Sequence, residues 1–246
     1  MRKVTILGVG PGDPELLTIK AMKRIEECEV IFFTGSLISD EVKALFKCKK
    51  IFDTSSMTME EIINETKKEV EMGKKVCIAH DGDPFIYGAI SEEINRLAKE
   101  GIEVEIVPGI SSFQLSASLL GIELTCPGGP QSVIITRLPY RTDYERRLVL
   151  DRNSTVVVFL SIHLINLVEE QLLRVFPPDF PVAVVYRAGW QDQKILRGEL
   201  SNLEKMVKDN KITKTALIIV SECLKYTGKR SNLYSPDFVH SFRGLK

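Results

Sequence analysis

The chain is predicted to be an α/β protein built as two α/β domains. Three observations predict this. Short apolar runs alternate with amphipathic segments of helical spacing through the first half, the pattern of a mainly parallel sheet covered on both faces;. Pro108-Gly109 and then the loop Cys126-Pro127-Gly128-Gly129-Pro130 break that alternation before a second set of strands;. The length of 246 residues suits one large domain or two of ordinary size;.

Residues 4–9 form the first strand and run into a glycine-rich turn. A helix follows over residues 14–27, with Leu17, Ala21, Met22 and Ile25 on one face;. Residues 30–33 are a buried strand and 50–52 a short one. Residues 59–71 are an amphipathic helix through Ile62, Ile63, Thr66 and Val70, ended by Gly73;. Strand 76–79, helix 89–99 and strand 104–107 complete the first half, and residues 111–120 are helical. The boundary is placed at residue 113, giving domains 1–113 and 114–246. In the second, strands are expected at 132–136, 155–160, 182–186, 194–197 and 216–220, with helices at 164–175 and 203–208. The connection through Gln191-Asp192-Gln193 is short enough for an antiparallel hairpin, so this sheet is mixed;. The polar tail after Leu224 carries no periodicity;.

Composition excludes several classes. Hydrophobic residues make up 44% and charged residues 27%, as in a soluble globular protein;. The 33 basic and 33 acidic residues cancel, which argues against nonspecific nucleic-acid binding while leaving room for a local basic rim; no nucleic-acid partner is expected;. No signal-peptide core follows Met1-Arg2-Lys3, and the longest apolar stretch, 155–168, carries Ser161, His163 and Asn166, too polar for a membrane span;. Cys28, Cys48, Cys77, Cys126 and Cys223 are odd in number, widely spaced and without a Cys-x-x-Cys pair, which reads as reduced thiols in the cytoplasm;.

The first turn, Gly8-Val9-Gly10-Pro11-Gly12-Asp13-Pro14, admits close backbone approach to a polar small molecule;. It is poorly suited to phosphate. A dinucleotide fingerprint needs glycine where Asp13 stands, Pro11 removes an N–H, and no Gly-Lys-Ser/Thr ends the turn;. A cationic or zwitterionic nucleoside fits better. The plainer alternative is a strand–helix turn capped by Asp13 with Pro14 at the first helical position. Further turns fall at strand ends at Asp81-Gly82-Asp83-Pro84, at Pro108-Gly109-Ile110-Ser111-Ser112 and after Phe159-Leu160, where ligands of open parallel sheets bind;. Asp81 and Asp83 could be read as metal ligands, but no further acidic run follows, and no metal is expected;.

Together these turns resemble the tetrapyrrole methylase family. The likeness lies in Gly8-Val9-Gly10-Pro11-Gly12-Asp13-Pro14, Gly82-Asp83-Pro84-Phe85-Ile86-Tyr87-Gly88 and Val107-Pro108-Gly109-Ile110-Ser111-Ser112, in that order. Gly35-Ser36-Leu37-Ile38-Ser39, Ile134-Ile135-Thr136-Arg137 and Val185-Tyr186-Arg187-Ala188-Gly189-Trp190-Gln191-Asp192 look most like the corrin-pathway branch that methylates C11 of precorrin-4 or its cobalt form. The resemblance implies two α/β domains with a cleft between them, a homodimer, S-adenosylmethionine as cofactor, S-adenosylhomocysteine as its product and a tetrapyrrole substrate. Carried over by position, the cofactor contacts are Pro11, Asp81, Gly82, Asp83, Ile86, Ser111, Ser112, Leu160, Ala188 and Ala216. Some branches carry an acid at the position of Gly35, where it can accept a proton; this chain has none there, so no general base is assigned. Another tetrapyrrole C-methylase or a diphthine synthase would keep the same cofactor, and a noncatalytic nucleoside-binding protein would keep the pocket alone.

A sulfonium cofactor is already a strong methyl donor. The protein then mainly aligns carbon, methyl and sulfur and excludes water, an effect of roughly 7–11 kcal/mol in favourable cases. Any cobalt would belong to the substrate. Acetate and propionate groups of the ring call for arginine. Arg137, Arg141, Arg146, Arg147 and Arg187 are the candidates, although 141–147 also reads as a solvated loop and helix start. Tyr87 and Trp190 can stack on the ring or pack at an interface. His163 and His240 carry no assigned role.

Overall fold

Side chains alternating along short apolar strands build the first sheet of this computed structural model, which describes residues 2–138, 147–225 and 238–239. Strands β1 (Lys3–Gly8), β2 (Val30–Phe33), β3 (Lys50–Asp53), β4 (Val76–His80) and β5 (Glu103–Val107) lie in the order β3-β2-β4-β1-β5, and every pairing is parallel. Helices α1 (Ile19–Glu27), α2 (Asp40–Lys43), α3 (Met59–Glu71) and α4 (Ile90–Lys99) connect them. Val4, Ile6, Val30, Phe32, Val76 and Ile78 form one face with Ile63 and Val70 of α3 and Ile90 and Leu97 of α4. Leu7, Ile31, Cys77 and Ala79 form the other with Ala21 and Ile25 of α1 and Val42 of α2. Period-two alternation thus serves two cores at once, as a sheet covered on both sides requires. Phe32, fully buried and stacked on Phe52 at 4.5 Å, illustrates the scale: burying such a ring contributes about 1.5–3 kcal/mol;.

Helix α3 begins where expected because Thr58 and Glu61 form a reciprocal capping box;. The single helix expected over residues 14–27 is broken. Asp13 caps a short 3-10 turn, Pro14–Leu16, with Pro14 at its start. Leu17 is extended, and the Thr18 hydroxyl then accepts the N–H of Ala21 to start α1 afresh;. Helix α2 was not anticipated; its four residues are too few to show a period, and Ser39 caps it through Val42 N–H.

Helix α5 (Ser112–Leu120) leads into the second sheet. Strands β6 (Val133–Arg137), β7 (Thr155–Phe159), β8 (Pro181–Tyr186), β9 (Lys194–Glu199) and β10 (Ala216–Val220) lie in the order β6-β7-β10-β8-β9. Only β6–β7 is parallel, so the sheet is mixed and β8–β9 is the expected antiparallel pair. Val156, Val158, Val182, Val184, Ile218 and Val220 pack under α6 (Ile165–Leu173) and α7 (Leu203–Asp209) through Ile165, Val168, Leu172, Leu203 and Val207. The helix expected from residue 164 is preceded by a 3-10 turn, Ile162–Leu164.

Two compact units divide the chain. One runs to Leu115 and takes back Arg187–Gln193; the other holds Ser116–Tyr186 and resumes at Lys194. The expectation of reduced thiols throughout is corrected: Cys126 and Cys223 form a disulfide with a Cα–Cα distance of 5.7 Å. They are 97 residues apart, so no local pattern foretells their approach. Cys28, Cys48 and Cys77 are free thiols. Burial holds the Cys48 thiol up at about 12, and a hydrogen bond to Cys77 with burial pushes Cys28 higher still. No helix among the described residues is long and apolar enough to cross a membrane.

Candidate functional site

At the carboxyl ends of β4, β1 and β5, which are neighbours in the first sheet, three backbone turns meet. Gly10 and Gly82 pair as an isolated antiparallel bridge: Gly10 N–H donates to Gly82 O at 3.2 Å and Gly82 N–H to Gly10 O at 2.9 Å. Val9 N–H donates to His80 O at 2.9 Å. A Cβ on Gly8 would lie 2.6 Å from Gly82 O and 2.7 Å from Gly109 Cα, so no side chain fits where the three turns touch;.

Asp83 ties the same turns together. Its Oδ1 accepts Phe85 N–H at 2.9 Å and its Oδ2 accepts Gly109 N–H at 3.0 Å. Ser111 N–H donates to Gln114 Oε1 at 2.9 Å, half of a capping box at the start of α5;. Asp81 is exposed beside this cradle, and local desolvation raises its carboxyl above the usual range;. Behind it, His80 Nε2 and Glu93 Oε2 pair at 2.9 Å, with Glu93 buried. Pro11 is buried and Ile86 half-buried. Tyr87 and Ala89 are held in the left-handed region at φ 61° and 53°, a strain that concentrates at functional turns;. Phe85 is 56% exposed and Tyr87 38%, which presents apolar surface beside the cradle.

The segment Arg187–Gln193 docks on the first turn. A Cβ on Gly12 would meet Trp190 Nε1 at 2.7 Å and Ala188 O at 3.1 Å. One on Gly189 would meet Asp13 N at 2.9 Å. On the turn's other side, buried Ser39 donates its hydroxyl to Gly12 O. Beside Gly35, where this chain lacks an acid, the carboxylate of Asp53 fills the space: a Cβ there would lie 2.7 Å from Asp53 Cγ. Asp53 Oδ1 accepts Ser55 N–H at 2.9 Å and Gly35 N–H at 3.0 Å, which lowers its pKa.

In the second unit, Arg137 ends β6 opposite Phe159, Leu160 follows directly at φ 51°, and Ala216 opens β10 opposite Tyr186. Arg137, Leu160 and Ala216 therefore share one end of that sheet. Arg147 is exposed, and Arg141, Arg146 and His240 lie outside the described residues. No metal-binding group of three or more His, Cys, Asp or Glu side chains occurs among the described residues.

Of the expected cofactor contacts, Pro11, Asp81, Gly82, Asp83, Ile86, Ser111, Ser112 and Ala188 lie in the unit that holds the cradle, Ala188 from the segment 187–193 that the sequence reading assigns to the second domain, while Leu160 and Ala216 lie in the other unit. Sequence reasoning passed over Phe85, Ser39, Asp53 and Gln114. Gln114 carried a local signal, the Ser-x-x-Gln spacing from Ser111; the Ser39 and Asp53 contacts carried none.

The model of the tetrapyrrole (corrin/porphyrin) methylases matches residues 3–204. The chain belongs to this family. It is 46% identical to a cobalt-precorrin-4 C(11)-methyltransferase of Methanocaldococcus jannaschii, over 98% of this chain and 96% of that protein. A solved cobalt-precorrin-4 methyltransferase, CbiF, superposes with a TM-score of 0.84 at 35% identity, covering 90% of this chain and 95% of the other. The uroporphyrin-III C-methyltransferase of Thermus thermophilus, solved with S-adenosylhomocysteine, superposes at 0.75 with 26% identity, covering 91% and 99%. Among tetrapyrrole methylases, then, this chain carries a cradle of three backbone turns and fills the space beside Gly35 with a carboxylate from β3.

Proposed function

We propose that this chain transfers a methyl group from S-adenosylmethionine to a ring carbon of a tetrapyrrole in cobalamin biosynthesis, at C11 of precorrin-4 or cobalt-precorrin-4. The observation that carries the cofactor part is the meeting of Gly8, Gly82 and Gly109, backbone against backbone, at the carboxyl ends of adjacent strands;. The names of the relatives support the acceptor.

The residues present fit that cofactor. The cradle offers backbone with no side chain in the way, and the start of α5 offers N–H groups to a carboxylate;. Bound S-adenosylmethionine would supply an activated methyl on a sulfonium sulfur. Pro11 would wall the pocket, Gly82 would admit the ligand to its backbone, and Ser111 and Ser112 would bind the carboxylate. Asp81 beside the cradle would meet the ligand's positive end, while Asp83, cross-tying two turns, would hold the cradle's shape. Ile86 and Ala188 would line apolar surface. Arg137 would pair with a ring carboxylate and Tyr87 would meet the ring face, while Arg187 is engaged with Asp192;.

The test is incubation with methyl-labelled S-adenosylmethionine and precorrin-4 or its cobalt form, with carbon NMR of the product. Label at C11 is expected. Label at another carbon would overturn the regiochemistry, and bound S-adenosylhomocysteine without any transfer would overturn the enzymatic assignment.

A further inference from the structure

The only tryptophan of the chain sits on the cofactor turn. Its carrier segment is tied to itself before it touches anything else. Trp190 N–H donates to Arg187 O at 3.0 Å, Gln193 N–H to Trp190 O at 3.1 Å, and Gly189 N–H to Gln193 Oε1 at 2.8 Å. The Arg187 guanidinium lies 4.7 Å over the indole ring and is itself held by Asp192 at 2.6 Å. Such a stacked, ion-paired guanidinium fixes the plane of the ring. The indole edge then occupies the space on Gly12 that a side chain would need, and Gly189 abuts the backbone of Asp13. Ser39 anchors the Gly12 carbonyl from the other side.

Resting on the cofactor assignment above, we propose that Trp190 is a positioning residue: seated on Gly12, it holds residues 10–13 in the shape that binds the cofactor. It acts through the turn and not by contact with the reacting atoms. A rigid support beneath a backbone cradle matters because binding by backbone groups has no rotamers with which to adapt. The geometry also makes the indole a built-in reporter, since any shift of the turn moves its surroundings.

The experiment compares wild type with Trp190→Ala, Trp190→Phe and Gly12→Ala, using S-adenosylhomocysteine as probe. Calorimetry gives affinity, and indole emission reports on the turn in the tryptophan-containing proteins. Wild-type emission should change on titration with the same midpoint as the calorimetric isotherm. Trp190→Ala should weaken binding about tenfold or more and Trp190→Phe about threefold, by analogy with the cost of small misplacements in preorganised sites. In turnover, Trp190→Ala should raise KM for S-adenosylmethionine while leaving KM for the tetrapyrrole unchanged. Gly12→Ala should alter ligand-free emission and weaken binding, and it decides the matter if Trp190→Ala fails to fold by circular dichroism. A normal wild-type isotherm with folded variants that bind equally well would overturn this inference alone. A higher tetrapyrrole KM with unchanged S-adenosylhomocysteine affinity would instead mark Trp190 as a substrate contact and overturn it too. Absence of binding by wild type would overturn both this inference and the cofactor assignment.

Discussion

On the function proposed above, Gly82 is the residue that sets access to the cradle. Its φ is +60°, and a Cβ there would sit at ordinary contact distance, 3.7 Å from Ser111 Cα and 3.8 Å from Ser112 N. Space exists for one methyl group, but the left-handed conformation costs an L residue about 1–2 kcal/mol. A β-branched side chain adds methyls directed at Ser111 and Ser112. Gly82→Val is therefore expected to lower S-adenosylhomocysteine affinity about 100-fold or more, and Gly82→Ala about tenfold, read by calorimetry. Unchanged affinity in the valine variant would remove Gly82 from the pocket. Asp81 belongs to the same scale. Desolvation raises its pKa, so the folded chain holds this proton more tightly than the unfolded chain does;. Its charged form opposes folding at neutral pH, and that penalty fades on acidification. Asp81→Asn should raise Tm at pH 7, with the gain shrinking as pH falls. A lower Tm at pH 7 would show that the carboxylate is stabilised by a partner instead.

At the scale of elements, β5 and α1 are joined by charge. Glu105 accepts from Arg24 at 2.9 and 3.1 Å and pairs with Lys20 at 2.9 Å and Lys3 at 3.4 Å, which lowers its pKa to about 2. A depressed carboxylate contributes stability that is present above its unfolded pKa and lost as pH falls through its folded one. Because Lys3 and Lys20 are about half exposed, the contribution is on the order of 1–3 kcal/mol;. Glu105→Gln should lower stability to urea at pH 7 and match wild type near pH 2; an equal deficit at both would assign the loss to packing. The disulfide joins the loop at Cys126 to the segment after β10. Thiol titration of the denatured, unreduced protein should find only Cys28, Cys48 and Cys77, and all five cysteines after reduction. Five before reduction would refute the bond. Local signals settled much at this scale. The bounds of β2, α3 and β10 agree with the apolar period and the Thr58 capping box. The break at Leu17 and the four-residue α2 escaped, because a cap that competes with helix continuation leaves the period intact and one turn has no period to read.

For the whole molecule, the α/β class, the parallel first sheet and the mixed second sheet were legible because strand and helix periods differ and parallel strands are apolar on both faces;. The cradle was legible for a related reason: glycines at strand ends mark places where backbones approach a ligand or one another. What the sequence concealed was tertiary. The connection through Gln191-Asp192-Gln193 reads as an antiparallel hairpin of the second domain, yet residues 187–193 belong to the first unit and seat Trp190 on Gly12. The Asp53 carboxylate beside Gly35 and the Cys126–Cys223 bond likewise join residues that no local propensity relates. The central claim is that backbone turns distant in sequence bind one sulfonium nucleoside. It is tested most directly by a crystal structure grown with S-adenosylhomocysteine. Density against Gly82, Ser111 and Ser112, over the turn at Gly10, is the expected result; density at another place, or none at saturating concentration, would contradict it.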